Sequence, residues 1–164
     1  ILCGLPFAGK TYLAQKIAAY TKSRLIAFDQ LWLELEKDPH LPTPVKGDEG
    51  WMLTRRVAKT RIAAVLKDNQ SVVYDDTNVG FDHREELRDL AQQSSAVAVV
   101  VYVNTPEKVR TERMRQNLVE KQRHDVEPDN LITALTQFEP PNQNESVIIY
   151  DQSMDLDEWL GENL

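Results

Sequence analysis

Short apolar runs recur along the chain, separated by longer segments in which apolar and polar residues alternate at helical spacing. These runs are Ile1–Cys3, Arg24–Phe28, Ser71–Tyr74, Val97–Val103 and Ser146–Tyr150. The run Val97–Val103 is apolar throughout, which is typical of a strand covered by helices on both faces. The pattern therefore predicts five strands in a parallel sheet.

The segments between these runs predict helices. An apolar stripe indicates one long helix with a buried face; it consists of Trp51, Met52, Ala58, Ile62, Val65 and Leu66. Asp82 with Glu85 three residues later matches a capping box, and Thr105 before Pro106 predicts an N-cap followed by the first helical residue. Trp159 indicates a short closing helix packed on the sheet. Strands and helices therefore alternate along the chain.

This alternation predicts one three-layer α/β/α domain over residues 1–164. In such a domain, ligands bind at the carboxyl ends of the strands. The segment Lys37–Gly50 contains several prolines and predicts a loop that is long enough to be functional. We therefore look for function in the turns that follow the strands.

Composition narrows the possible classes of function. The 164 residues carry a net charge of −7, which disfavours nonspecific binding to nucleic acid. Cys3 is the single cysteine, and no apolar stretch is long enough to span a bilayer, so we expect a cytoplasmic protein without a membrane partner. His40, His83 and His124 lack the spacing of metal ligands, so no metal cage of protein ligands is predicted.

The stretch Gly4–Thr11, "GLPFAGKT", lies between the first strand and a predicted helix over Lys10–Tyr20. It matches the phosphate-binding pattern G-x-x-x-x-G-K-S/T in the required strand–turn–helix context. Its glycines allow the backbone N–H groups to point at phosphate oxygens, and the helix N-terminus adds positive potential. We expect Lys10 to contact the β- and γ-phosphates of a nucleotide and Thr11 to bind Mg²⁺.

Carboxylates follow two other predicted strands. Asp29 closes the second strand, where it is either the general base that accepts a proton from an attacking hydroxyl or the N-cap of the next helix. Asp75 and Asp76 close the third strand; one of them holds Mg²⁺ or contacts the acceptor, and the other is a turn residue. Trp32 is either a core residue or a border of the acceptor pocket.

Three groups of basic residues have two interpretations each. Arg84 either points into the crevice or pairs with Glu85 or Glu86. The segment Arg110–Arg123 is either a charged helix face or a lid that closes over ATP and brings guanidinium groups to the transferred phosphoryl group. The presence of a P-loop favours the lid. The basic residues of Arg55–Arg61 are interpreted as solvated helix charges, with a phosphorylated acceptor as the alternative.

These residues resemble P-loop kinases of the polynucleotide-kinase, zeta-toxin and chloramphenicol-phosphotransferase type, together with their AAA-domain relatives. The resemblance covers nearly the whole chain. It depends on "GLPFAGKT", Asp29, "DTN" at Asp76–Asn78 with Arg84 downstream, and "FEPP" at Phe138–Pro141. It implies a five-stranded parallel sheet in the order 2-3-1-4-5, with a lid at about residues 113–128 after the fourth strand.

The resemblance also implies roles for individual residues. ATP binding is assigned to Gly4, Pro6, Ala8, Gly9, Lys10, Thr11, Tyr12 and Arg115. Mg²⁺ binding is assigned to Thr11 and, through water, Asp75. Catalysis is assigned to Lys10, Asp29, Arg113 and Arg123, and contact with the acceptor to Asp76, Asn78, Arg84 and Trp32.

One departure from this family changes the expected acceptor. Polynucleotide kinases have an arginine three residues after the base, where this chain has Trp32. We therefore expect an ATP-dependent kinase that acts on a hydroxyl of a small molecule or a nucleotide-type acceptor. The alternatives are a 5′-hydroxyl polynucleotide kinase, which the acidic charge disfavours, and a switch that binds ATP without transferring phosphate.

Overall fold

The five predicted strands are all present in the computed structural model, which describes residues 1–41, 47–120 and 128–164. They are β1 (Leu2–Cys3), β2 (Arg24–Ala27), β3 (Val72–Asp75), β4 (Val100–Val103) and β5 (Val147–Tyr150). Every ladder between them is parallel. The apolar runs therefore predicted the strands correctly, with ends that differ by at most three residues.

Helices connect the strands. They are α1 (Lys10–Thr21), α2 (Phe28–Glu36), α3 (Gly47–Lys67), α4 (Phe81–Gln93), α5 (Glu107–Glu120), α6 (Pro128–Thr136) and α7 (Leu156–Asn163), and a 3₁₀ turn spans Gln143–Glu145. The predicted loop Lys37–Gly50 is shorter than expected, because α3 already begins at Gly47. Its residues 42–46 lie outside the described part of the chain.

The prediction of a single five-stranded sheet is wrong at one junction. The strands form a three-stranded sheet, β1-β4-β5, and a two-stranded sheet, β2-β3. At the expected β3–β1 junction, the bonds come from the loop after β3: the Asn78 side-chain amide donates to the Leu2 carbonyl (2.7 Å), and the Gly4 N–H donates to the Thr77 carbonyl (3.1 Å). The Asn78 side chain thus occupies the Leu2 carbonyl, which would accept a backbone N–H if β3 and β1 formed a regular ladder.

Two apolar clusters hold the helices on the sheets. The first joins α1 and α7 to the three-stranded sheet and includes Leu13, Ile17, Val101 and Trp159. The second joins α2, α3 and α4 to the two-stranded sheet and consists of Ile26, Leu31, Ala58, Ile62, Tyr74 and Leu87. Each of these five helices presents one apolar face to its sheet, as the sequence pattern predicted.

Two predicted helix starts are wrong in detail. No side chain caps α4, whose N-cap is Gly80, and the predicted capping box at Asp82 is replaced by Glu139, which accepts a hydrogen bond from the Phe81 N–H. The Thr105 hydroxyl donates to the Ala8 carbonyl (2.7 Å) and α5 begins at Glu107, so Pro106 is outside the helix. In both cases a contact with a distant segment has replaced a local one.

Candidate functional site

The P-loop, Gly4–Thr11, connects the end of β1 to the start of α1. Gly4 has a φ of +150°, and a Cβ at this position would lie 2.8 Å from the Val103 carbonyl oxygen. Gly9, the N-cap of α1, has a φ of +99°. Other residues adopt these conformations only under strain. The glycines therefore allow the loop to curl over the N-terminus of α1, where free N–H groups attract anions.

Lys10, Thr11 and Asp75 meet beside this loop. Lys10 is only 9% exposed, and its Nζ donates to the Leu5 carbonyl across the loop (3.0 Å). The Thr11 hydroxyl hydrogen-bonds the carboxylate of Asp75, the last residue of β3. Burial raises the pKa of Asp75, although the Thr11 hydrogen bond and the Lys10 charge act in the opposite direction. The arrangement places an ammonium, a hydroxyl and a carboxylate at one end of the sheet.

Asp29 lies close to this group. It is an exposed residue of the first turn of α2 and not the last residue of β2, which ends at Ala27. The N-cap of α2 is Ala27 and no side chain caps the helix, so the N-cap alternative for Asp29 is not observed. The charge of Asp29 helps to raise the pKa of Asp75, which reports their proximity.

Asp76 and Trp32 border the same end of the sheet. Asp76 accepts hydrogen bonds from the Tyr74 hydroxyl (3.2 Å) and from the Thr77 N–H (2.6 Å), so its carboxylate is fixed by its own turn. Trp32 lies one helical turn after Asp29 and is half-buried, with its ring 6.4 Å from the ring of Trp51. The geometry leaves Asp29 as the more accessible carboxylate.

Arg113 joins α5 to the P-loop. Its Nη1 donates to the carbonyls of Ala8 (2.9 Å) and Phe7 (3.3 Å). Arg115 is exposed and, at two residues' distance, points away from the face that carries Arg113. The structure thus brings one of the predicted lid arginines to the nucleotide side and not the other, while Arg123 lies outside the described residues.

Gln152 is a site residue that the sequence analysis missed. Its Oε1 accepts from Arg113 Nη2 (2.8 Å), and its Nε2 donates to Thr105 Oγ1 (2.6 Å) and to the Ala8 carbonyl (3.2 Å). It follows β5 in a loop, 144 residues from Ala8 along the chain. No local pattern marks it, because its partners lie far away in the chain, in the P-loop and in residues 105–113.

A cavity of about 510 Å³ opens beside the P-loop. Its lining includes Phe7, Gly9, Tyr12, Arg113, Asn117 and Gln152. Tyr12 is exposed, and the Lys16 ammonium lies 5.6 Å from the centre of its ring. The volume is in the range of small-molecule sites, and the cavity adjoins the expected position of the phosphates.

Arg84 and Asn78, which were predicted to contact the acceptor, are fully buried. Arg84 forms an ion pair with Glu145, with 2.6 Å between Nε and Oε2, and its Nη1 donates to the Asn78 carbonyl (2.9 Å). The Asn78 amide is occupied by the Leu2 carbonyl, as described above. Neither side chain is available to a bound acceptor in this conformation. The alternative pairing of Arg84 with Glu85 or Glu86 is also not observed.

The described residues contain no group of three or more His, Cys, Asp and Glu side chains that could hold a metal ion. In the same ranges, no helix is long and apolar enough to cross a membrane. A cation at this site would therefore depend on few protein ligands, such as Thr11 and Asp75, and on oxygens of a bound nucleotide or water.

Solved structures share the fold of this chain. Kti12 from Chaetomium thermophilum in complex with ADP-AlF3 has a TM-score of 0.78 at 19% identity, covering 98% of this chain and 94% of that one. A gluconokinase from Sinorhizobium meliloti has a TM-score of 0.68 at 21% identity, with 98% and 86% covered. The Mycobacterium tuberculosis APS kinase CysC in complex with AMPPNP and APS has a TM-score of 0.68 at 17% identity, with 98% and 91% covered.

No curated protein matches the chain in sequence. At identities of 17–21%, the structural likeness shows the fold, which is that of P-loop kinases. A family match is more specific, since residues 1–141 match the family described as an AAA domain, AAA_33. Because that match spans most of the chain, including the P-loop and Asp29, the protein belongs to the AAA domain family AAA_33.

Proposed function

We propose that the protein transfers the γ-phosphoryl group of ATP to a hydroxyl group of a small-molecule acceptor. The observation that carries this proposal is the placement of an accessible carboxylate, Asp29, near the buried carboxylate of Asp75, whose pKa its charge helps to raise. A protein that only binds a nucleotide needs the P-loop and the metal ligands, but it has no need for a further carboxylate next to them.

The P-loop supports the nucleotide part of the proposal. Its backbone N–H groups and the Lys10 ammonium would hold the phosphates, and the neighbouring cavity would hold the nucleoside. Two of the similar structures contain nucleotides, ADP-AlF3 in Kti12 and AMPPNP in the APS kinase. Thr11 and Asp75 supply a hydroxyl and a carboxylate oxygen, a donor set that fits Mg²⁺. When bound, Mg²⁺ would offset the negative charge of the phosphates.

Asp29 would act as the general base of the transfer. The acceptor oxygen forms a bond to the γ-phosphorus, and the bond between that phosphorus and the β–γ bridging oxygen breaks. The electron pair of the broken bond leaves with ADP, and the acceptor's hydroxyl proton goes to the Asp29 carboxylate. Arg113 would then offset charge that develops on the transferred group, since its guanidinium already lies against the P-loop.

The test uses γ-labelled ATP with Mg²⁺ and two acceptor sources: a small-metabolite extract and a 5′-hydroxyl oligonucleotide. We expect label on a small molecule, with transfer abolished in Lys10→Ala. We expect Asp29→Asn to bind ATP normally while it loses most of the turnover. Glu36→Gln is the matched control, because it removes one exposed carboxylate from the same helix. An Asp29→Asn variant as active as Glu36→Gln would contradict the role of the base.

A second candidate is a nucleotide-dependent regulatory module without an acceptor. The observation that favours it is the burial of Arg84 and Asn78, which removes two groups that the resemblance assigned to the acceptor. The likeness to Kti12, whose structure was solved with ADP-AlF3, is compatible with either candidate. This candidate predicts bound ATP, no label on either acceptor source, and Asp29→Asn equal to the unaltered protein in every assay. Label on the oligonucleotide would instead support a polynucleotide kinase.

A further inference from the structure

Arg55, a half-buried residue of α3, has an unusual environment for a cation. Its guanidinium carbon lies 5.5 Å from the centre of the Trp51 ring. Its Nε is buried and has no hydrogen-bond partner among the described residues. Leaving a buried N–H of a charged group without an acceptor is costly, so folded proteins rarely retain one without a reason.

Two cations further along α3, Lys59 and Arg61, differ from Arg55 in having carboxylate partners. Lys59 pairs with Glu86 (3.0 Å), and Arg61 pairs with Glu34 (2.7 Å), both across helix surfaces. No carboxylate of the described residues forms an ion pair with Arg55. Folding therefore neutralises the basic residues one and two turns along α3 and leaves the Arg55 guanidinium without an anion.

The position of Arg55 is on the acceptor side of the proposed site. The Trp51 ring that it covers packs against Phe28 (5.6 Å) and against Trp32, the residue one turn after Asp29. On its other side, Arg55 lies near His83. Burial is the main cause that lowers the pKa of His83, and the positive charge of Arg55 is the next largest cause. Arg55 thus lies between the aromatic residues beside Asp29 and the start of α4.

The nucleotide cavity is lined by different residues, among them Phe7, Tyr12 and Asn117. Arg55 is therefore not part of the wall of that cavity. Of the nearby carboxylates, Asp76 already accepts from Tyr74 and Thr77, and Glu86 is bonded to Lys59. An anion from outside the protein would give the Arg55 guanidinium a charged partner without displacing these contacts.

We propose that Arg55 binds an anionic group of the hydroxyl acceptor, so that the acceptor is a hydroxy acid or a sugar phosphate and not a neutral sugar. This inference rests on the proposed function, because it assumes that a hydroxyl of the acceptor lies near Asp29. The planar guanidinium matches the oxygens of a carboxylate or a phosphate in a paired, bidentate geometry. The face of Trp51 holds the guanidinium plane in place.

The test is a binding titration of the protein loaded with Mg²⁺ and AMPPNP, so that no turnover is needed. The probes are two matched pairs: D-gluconate against D-glucose, and ribose 5-phosphate against ribose. We expect the unaltered protein to bind the anionic member of at least one pair about tenfold tighter or more than its neutral counterpart. The pair that shows the preference distinguishes a carboxylate from a phosphate.

Three variants locate the preference. Arg55→Gln should remove it, Arg55→Lys should retain part of it, and Arg56→Gln, which removes an exposed charge from the next residue, should leave it intact. The affinity for Mg²⁺-AMPPNP should be the same in all three. Partial rescue by lysine is not expected of a purely structural role, because a lysine cannot reproduce the packing of a guanidinium on Trp51.

The proposal is overturned if the unaltered protein binds neither anion better than its neutral counterpart, or if Arg55→Gln retains the preference. Its failure is separate from that of the proposed function. Anion binding that depends on Arg55, without label transfer to any acceptor, would support this site and contradict the kinase. Label transfer to a neutral acceptor, at the same rate in Arg55→Gln as in the unaltered protein, would support the kinase and contradict the anion site.

Discussion

The guanidinium of Arg113 donates a hydrogen bond of 2.9 Å to the carbonyl oxygen of Ala8, which joins α5 to the P-loop. The same carbonyl also accepts from Thr105 Oγ1 and from Gln152 Nε2. Two segments that are distant from the P-loop in the chain, residues 105–113 and the loop that contains Gln152, thus converge on one of its backbone oxygens. We expect a change in either segment to alter the conformation of the P-loop.

We therefore predict that Arg113→Ala weakens nucleotide binding. Losing a hydrogen bond from a charged donor costs roughly 1.5–3 kcal/mol, which corresponds to at least about a tenfold rise in Kd. Titration with fluorescent ATP would measure the Kd of both variants and of the unaltered protein. Lys108→Ala, which removes an exposed charge from the same helix, is the control and should change Kd less than about twofold. If both variants raised Kd equally, nucleotide binding would depend on the net charge and not on the hydrogen bond from Arg113 to the P-loop.

A second prediction concerns the Thr11–Asp75 pair. Asp75→Asn should reduce the enhancement of nucleotide binding by Mg²⁺, because an amide oxygen is a weaker ligand for this hard cation than a carboxylate. Binding measured in EDTA should change little. The control is Asp68→Asn, an exposed carboxylate just before the opposite end of β3. If Asp75→Asn kept the full effect of Mg²⁺, the assignment of this carboxylate to the metal would be wrong.

The Arg84–Glu145 ion pair leads to a prediction about stability. Both side chains are 0% exposed, and the pair links α4 to the 3₁₀ turn before β5. Removing one partner by Arg84→Met or Glu145→Leu should cost about 3–5 kcal/mol, since it leaves a buried charge uncompensated. The double variant should recover a large part of this loss. Urea unfolding of the four proteins measures the coupling, and strictly additive losses would contradict it.

Acid should weaken the same ion pair. Burial alone would raise the pKa of Glu145, but the hydrogen bonds from Arg84 and Asn142 outweigh burial and lower it below its ordinary value of 4.5. A group whose pKa is lower in the folded state stabilises the fold above its unfolded pKa, and that contribution disappears as the pH falls through the folded pKa.

The free energy of unfolding should therefore fall below about pH 4.5 more steeply in the unaltered protein than in the Arg84→Met/Glu145→Leu double variant. Urea unfolding at several pH values between about 7 and 3 would measure both slopes. Identical slopes would mean that Glu145 does not contribute to the acid sensitivity of the fold.

Cys3 should be chemically inert in the native protein. It is fully buried, and burial is the main cause that raises its pKa to about 11. Because the thiolate is the reactive form, labelling by a disulfide reagent at about pH 8 should be at least about a hundredfold slower than for an exposed thiol. Labelling in urea should be complete and fast. Equally fast labelling without denaturant would show that β1 opens readily.

The sequence by itself determined the features that depend on neighbouring residues. Eight consecutive residues, Gly4–Thr11, contain the glycines, the lysine and the helix start that define the P-loop, so no distant contact was needed to predict it. The apolar runs determined the strands, most clearly at β4, because the burial of a strand on both faces requires apolar side chains along its whole length. The amphipathic segments determined the helices in the same way.

Only the tertiary structure decided the partners of polar side chains. Arg84 could not be assigned from its own helix, because Glu145 lies 61 residues away and captures it in the interior. Glu139, 58 residues from Phe81, replaced the local cap that Asp82 predicted. The environment of Arg55, whose Nε has no hydrogen-bond partner among the described residues, is visible only because the structure shows which of its neighbours are already paired.

The division of the strands into two sheets was also decided by the partner of a polar side chain. The pattern of apolar runs cannot distinguish a backbone ladder between β3 and β1 from the observed bond between the Asn78 amide and the Leu2 carbonyl. Periodicity reports which face of an element is buried, and it does so from consecutive residues. The partner of a hydrogen-bonding group depends on the three-dimensional approach of segments that are distant in the chain, and this part of the site was decided by the fold.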